Sequence, residues 1–155
     1  MCTLEKRGNL FILTLTGDDQ HRLNPNLISS ILSALSQAKV QSTHGSVLIT
    51  LAQGKFFSKG FDLNWAQSAG SKQGAQERLL HMVEALKPVV VAQLNLPMPT
   101  ITPAGFGLAF SHDYVIMRRD RGVFYMHEMD IGLTIPDYFQ ALFREKIGAI
   151  CCYGD

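Results

Sequence analysis

The sequence predicts an α/β fold built from parallel βα units, and three observations carry that expectation. Leu10 to Thr16 (LFILTLT) is an apolar, β-branched run that ends in Gly17, Asp18 and Asp19, as a buried strand entering a turn would. A helical stripe follows it. Ser46 to Leu51 (SVLITL) then supplies a second buried strand. Strand, helix and strand in that order favour a parallel pair joined by a crossover helix.

Each element has its own local reason. Asn24 can cap a helix with Pro25 at its first position, and Leu27, Ile31, Leu35 and Ala38 recur at helical spacing, widened by Ile28 and Leu32. Thr43, His44 and Gly45 break the chain before the second strand. A glycine-punctuated stretch, Gln53 to Leu63, leads into Gln67 to Gln76, whose Gln, Ser, Gly and Ala content reads as a mobile surface loop. Glu77 to Leu86 places Leu79, Leu80, Val83 and Leu86 on one helical face, and Pro88 either kinks that helix or starts another through Leu94. Pro97 and Pro99 impose an extended entry to Thr100 and Ile101. Tyr114 to Met117 and Val123 to Met126 read as short strands around the turn Arg119-Asp120-Arg121-Gly122. Phe139, Leu142, Phe143 and Ile147 form a final helical stripe that Gly148 can stop.

Composition narrows the function classes. The chain has 155 residues, 46% hydrophobic and 17% charged, against roughly 25% charged in an average domain, so disorder is excluded. Fourteen basic and 13 acidic side chains leave a net charge of +1, which offers no broad footprint for nucleic acid or an anionic membrane. Cys2, Cys151 and Cys152 lack metal-ligand spacing and suit a reducing compartment. Met1 to Asn9 carries Glu5, Lys6 and Arg7 and precedes too short an apolar run for a signal peptide or a span.

The residues with chemical promise lie after the second strand, in Gly54-Lys55-Phe56-Phe57-Ser58-Lys59-Gly60-Phe61-Asp62-Leu63. Its glycines permit backbone shapes that turn amide N–H groups toward a ligand oxygen, and Asp62 reads most simply as a loop or helix cap. Ser111-His112-Asp113 invites a triad, but consecutive residues in an extended chain point to opposite faces. His21, His44, His81 and His127 lack ligand spacing and read as structural or surface residues, and no metal is expected. Lys55, Lys59, Lys72 and Lys87 read as solvated surface cations.

The loop G-K-F-F-S-x-G-F-D-L resembles that of the enoyl-CoA hydratase/isomerase (crotonase) superfamily. Further segments resemble the family in the same order: His21-Arg22-Leu23-Asn24-Pro25, Leu96-Pro97-Met98-Pro99-Thr100-Ile101, Ser111-His112-Asp113-Tyr114-Val115, and Tyr125 to Leu133. The likeness is greatest to the plant enoyl-CoA delta-isomerase branch. It implies a crotonase-like (ββα)-repeat core over residues 1–148, truncated before the C-terminal helical part, with a non-family tail at 149–155. It implies Glu128 as the catalytic base, the backbone amides of Lys59 and Ala104 as an oxyanion hole, and Ser58, Gly60, Phe61, Asp62 and Gly105 as substrate-binding positions.

The reaction implied is conversion of a 3-enoyl-CoA to a trans-2-enoyl-CoA in β-oxidation of unsaturated fatty acids. It needs no cofactor, since coenzyme A enters with the acyl-CoA substrate and could then meet the surface lysines. Family hydratases carry a second carboxylate where this chain has Gly107, which favours isomerisation. Two departures support an alternative, a catalytically impaired fragment that binds acyl-CoA or associates with full-length relatives. Only Thr102, Pro103 and Ala104 separate Ile101 from Gly105, where family members carry a longer Gly-His turn, and Ala149 to Asp155 match no family segment. An alternative transcript or a degraded gene copy would explain both. The resemblance implies a peroxisomal protein, possible homo-oligomers and no nucleic-acid or membrane partner. The chain has no C-terminal targeting signal, which leaves the cytosol open.

Overall fold

A computed structural model of the chain describes residues 1–103, 106–117, 119–120 and 134–147. The elements are β1 (Cys2–Arg7), β2 (Leu10–Leu15), α1 (Pro25–Gln41), β3 (Val47–Ala52), α2 (Leu63–Gln67), α3 (Lys72–Leu94), β4 (Thr100–Pro103), α4 (Phe106–Phe110), β5 (Tyr114–Ile116) and α5 (Asp137–Lys146). Among the described residues the strands form one sheet in the order β1-β2-β3-β4-β5. β1 and β2 are antiparallel, and each later pair is parallel.

The parallel βαβ unit is where the apolar runs put it. Asn24 accepts the Leu27 amide at 3.0 Å, with Pro25 opening the helix whose missing N–H would have been an orphan in any case. Leu27, Ile28, Ile31, Leu35 and Ala38 are buried against Phe11, Leu13, Leu15 and Leu48 of the sheet and Met82, Leu86, Val89 and Val90 of α3. β2 pairs Phe11 with Leu48 and Leu13 with Thr50, so alternate residues share the buried face.

β1 is an element the apolar runs do not reveal. Its pattern has only Cys2 and Leu4 half-buried, and three charged residues close it. The two-residue Gly8-Asn9 loop, with Gly8 at φ +62°, returns it onto β2 so that Arg7 pairs with Leu10.

The expected surface loop at 67–76 is mostly helix. α2 ends at Gln67 and α3 starts at Lys72, because the Ser71 hydroxyl accepts the Gly74 amide at 3.0 Å and caps a helix through the Gln-rich stretch. α3 then runs unbroken for 23 residues with Pro88 inside it. Proline cannot donate to the carbonyl one turn earlier. Beside this weakened turn, the Tyr138 hydroxyl of α5 donates to the Val83 carbonyl at 2.7 Å. Burial, assisted by the Glu84 charge, pushes the Tyr138 phenol up, so the donor keeps its proton.

Two apolar assignments change. Leu80 is 51% exposed, since it sits about 100° round the helix from Leu79, and Met82, Val89 and Val90 complete the buried face instead. Ile147 is 43% exposed because it follows the last turn of α5, whereas Phe139, Leu142 and Phe143 are buried. Phe143 meets Phe110 edge-on at 5.7 Å between centroids, joining α5 to α4. The strand expected at Val123 to Met126 and the stop at Gly148 lie outside the described residues.

His112 is buried between the sheet and α4, with Nδ1 donating to the Leu108 carbonyl at 3.0 Å and Nε2 accepting from Thr50 Oγ1 at 2.8 Å. Desolvation lowers its pKa to about 4. The unfolded chain therefore takes up a proton near pH 6.5 that the folded chain refuses, and stability falls as pH drops from about 6.5 toward 4. The loss reaches up to about 3 kcal/mol. Urea midpoints at pH 7.5 and 5 should show this fall in the native chain and a flatter profile in His112→Gln. Asn24→Ala should cost about 1 kcal/mol at either pH, measured by the same unfolding curves.

Candidate functional site

Strands β2 to β5 run in one direction, so the connections that follow them leave from a single edge of the sheet. Two of these connections interlock. The segment after β2, residues 17–24, lies along the segment after β3, residues 53–62.

The interlock is built from backbone hydrogen bonds. The Lys59 amide donates to the Gln20 carbonyl at 2.9 Å, Leu23 donates to Gly60 at 2.8 Å, and Asp62 donates to Leu23 at 2.9 Å. Leu23 and Phe61 thus form a parallel bridge beyond the end of the sheet proper. Side chains reinforce it. Ser58 Oγ donates to the His21 carbonyl at 2.8 Å and accepts the Gly60 amide at 3.2 Å, while His21 Nε2 donates to the Gln53 carbonyl at 2.6 Å.

This geometry decides which amides of the loop are available. Lys59, the expected oxyanion donor, already gives its N–H to Gln20. In a parallel bridge the central residue points its own N–H and C=O away from the partner strand. The Phe61 amide accordingly faces away from Leu23 and meets no acceptor among the described residues. The resemblance places Phe61 among the substrate-binding positions without a role for its amide, because spacing shows which glycines bend a loop and leaves undetermined which amide the bend leaves unspent.

The other expected positions divide into two groups. Gly60 takes φ +76°, which needs a glycine. Ser58 is bonded to His21, the Phe61 ring is buried in the core, and Asp62 accepts the Trp65 amide at 3.0 Å as N-cap of α2, so these three side chains act within the protein. Ala104, Gly105 and Glu128 lie outside the described residues. β4 pairs in parallel with β3 and ends at Pro103, at the same sheet edge from which the Gly54 to Asp62 loop leaves.

Downstream, Arg78 of α3 donates to the Trp65 carbonyl at 3.0 Å and to Ser68 Oγ at 2.7 Å, with its guanidinium 5.0 Å from the centre of the Trp65 ring. It ties the helix that Asp62 starts to the long helix behind. Upstream, the Asp18 carboxylate accepts the His21 amide at 3.0 Å, shaping the turn that feeds the bridge. Outside, Lys59 Nζ lies 4.3 Å and Lys55 Nζ 5.2 Å from the centre of the Phe56 ring, both cations on the exposed rim of the loop.

Ser111, His112 and Asp113 do not converge. Ser111 donates to Leu108, His112 bonds Leu108 and Thr50, and the Asp113 carboxylate accepts both the amide and the hydroxyl of Thr100 at 2.9 Å. Among the described residues no group of three or more His, Cys, Asp or Glu could hold a metal, and no helix is long and apolar enough to cross a membrane.

The comparisons with known proteins agree with this architecture. Residues 5–151 match the family described as Enoyl-CoA hydratase/isomerase. Over 96% of its length the chain is 66% identical to the Arabidopsis thaliana protein named "Enoyl-CoA delta isomerase 2, peroxisomal" and 61% identical to "Enoyl-CoA delta isomerase 3". It spans 65% of the length of each. Among solved structures, an enoyl-CoA hydratase/carnithine racemase from Magnetospirillum magneticum superimposes with a TM-score of 0.81 at 20% identity, covering 97% of this chain and 58% of that one. The sheet and helices described above are therefore crotonase-like.

Gly54 offers a test of the interlock. It takes φ +86°, and a Cβ there would run into the Asp19 carboxylate. Gly54→Ala should cost about 1–2 kcal/mol for placing a side chain in the left-handed region. Combining it with Asp19→Ala should return only the part due to the contact, as measured by denaturant midpoints.

Proposed function

This chain belongs to the enoyl-CoA hydratase/isomerase family, and we propose that it converts a 3-enoyl-CoA to a trans-2-enoyl-CoA. The observation that supports this reading is the Phe61 amide. Its neighbours in the loop are spent on Gln20, Ser58 and Leu23, whereas its own N–H is held in place with no acceptor among the described residues.

A fixed donor of that kind suits the charge that develops on a thioester oxygen when a proton leaves the adjacent carbon. In this proposal the Phe61 amide takes the role that the resemblance assigned to Lys59, and the Ala104 amide supplies the second donor. Glu128 removes a proton from C2, the electron pair spreads into the thioester as an enolate, and the same carboxyl returns the proton at C4. The double bond moves from C3–C4 to C2–C3, one proton has changed carbons, and no external acid, base or redox partner is consumed.

Gly107 in place of a second carboxylate leaves no matching group to activate water, which favours isomerisation over hydration. Lys55 and Lys59, cationic and exposed on the rim, are placed to meet the phosphates of coenzyme A. The proposed setting is oxidation of unsaturated fatty acids, and the name of the first relative supports the peroxisome as its place.

A second reading rests on the short connection from Ile101 to Gly105, which would carry the Ala104 amide away from its place. The chain would then bind acyl-CoA without turning it over. An assay of the purified chain decides between the two. On a 3-enoyl-CoA substrate, the native chain should generate the absorbance of a conjugated thioester, and Glu128→Gln should lower the rate by about 10²–10⁴. Equal rates for the two proteins, or no rate above buffer, overturns the isomerase reading. Calorimetric binding of acyl-CoA without turnover selects the second.

A further inference from the structure

His21 is the least expected residue in the interlock. The histidine spacing marks it as structural or on the surface, yet it is 2% exposed and has the left-handed backbone of φ +44°, alone among the non-glycine residues described. Bulky side chains resist that conformation, so it persists where surrounding contacts hold it.

The contacts are unusual in direction. The His21 ring reaches forward to the beginning of the 53–62 segment, where Nε2 donates to the Gln53 carbonyl at 2.6 Å. The His21 main-chain carbonyl reaches to the middle of the same segment, where it accepts from Ser58 Oγ at 2.8 Å. The His21 amide turns back to the Asp18 carboxylate at 3.0 Å. One residue thus grips the loop at two points five residues apart, while Gln20 just before it and Leu23 two residues after it carry the bonds to Lys59, Gly60 and Asp62. The left-handed turn is what lets ring and carbonyl act on the loop together. Nδ1 has no partner among the described residues, so the Gln53 bond is the polar anchor of the ring.

We infer that His21 is a positioning residue: by clamping Gln53 and Ser58 it sets the direction of the Phe61 amide, without itself touching substrate. This rests on the proposed isomerase reading for its catalytic consequence, but the clamp itself is testable without turnover. The charge of the imidazole plays no part in it; a donor at the position of Nε2 is sufficient.

The test uses the full chain with His21→Leu, His21→Gly and His21→Gln, followed by amide hydrogen exchange and by steady-state kinetics on a 3-enoyl-CoA. Leucine removes the donor. Glycine also removes it but accepts the left-handed backbone freely, which covers the case in which the leucine variant fails to fold. Glutamine offers an amide donor close to where Nε2 lies.

In the leucine or glycine variant, exchange of the Leu23, Lys59 and Asp62 amides should accelerate by at least about tenfold while the β2–β3 ladder keeps its protection. kcat should fall by about 10–100-fold with KM changed less than about threefold, as expected when a transition-state donor is misdirected. Glutamine should recover both to within about fivefold.

Unchanged exchange in the leucine and glycine variants overturns the clamp, as does loss of protection throughout the sheet in the glycine variant. Local acceleration with kcat unaltered overturns the positioning role and leaves the isomerase reading intact. Absence of turnover in the native chain counts against the isomerase reading instead, and the exchange result still decides whether His21 holds the loop.

Discussion

The backbone bridge between Leu23 and Phe61 is the constraint on which the site depends. It prolongs the parallel register of β2 and β3 beyond the sheet, after both chains have left their strands through turns. Hydrogen bonds from Leu23 to Gly60 and from Asp62 to Leu23 fix the loop on both sides of Phe61. Two bonds of this kind are individually modest, at about 1 kcal/mol net each. Their importance is geometric, since they orient one amide away from its neighbours while the amides of Lys59, Gly60 and Asp62 beside it are spent.

The surroundings distribute that constraint. Asp62 ends the bridge and begins α2, so the same residue that donates its amide to Leu23 caps the next helix with its carboxylate. Arg78 holds the far end of α2 from α3, and α3 shares the core with α1, the helix that Asn24 starts immediately after Leu23. The loop is therefore closed into a ring of elements: bridge, α2, α3, α1 and back to the bridge.

Legibility followed the range of the interactions. α1 could be read because its cap, its first-turn proline and its apolar spacing are all local to Asn24 through Ala38. β1 escaped because an edge strand buries only alternate residues, here Cys2 and Leu4, and its evidence is a two-residue turn. The stretch from Gln67 to Gln76 reads as loop from its polarity, yet Ser71 caps a helix there that is held by Leu79 and Met82 further along α3. For the candidate site, the family resemblance names the Lys59 amide, which the structure shows donating to Gln20, whereas the Phe61 amide meets no acceptor among the described residues. Lys59 and Phe61 are two residues apart, and only the partner strand distinguishes them.

What the sequence by itself determined is the set of elements with local causes, the parallel sense of β2 and β3, and the loop that follows them. Apolar periodicity, caps and glycine positions act within a few residues, so they are readable in one dimension. The tertiary structure alone decided that His21 would be buried with a left-handed backbone, that Gln20 would take the Lys59 amide, and that Phe61 would keep its own. Those outcomes depend on which carbonyl, nearly forty residues away along the chain, lies opposite each N–H, and that is fixed only when the two loops are laid side by side.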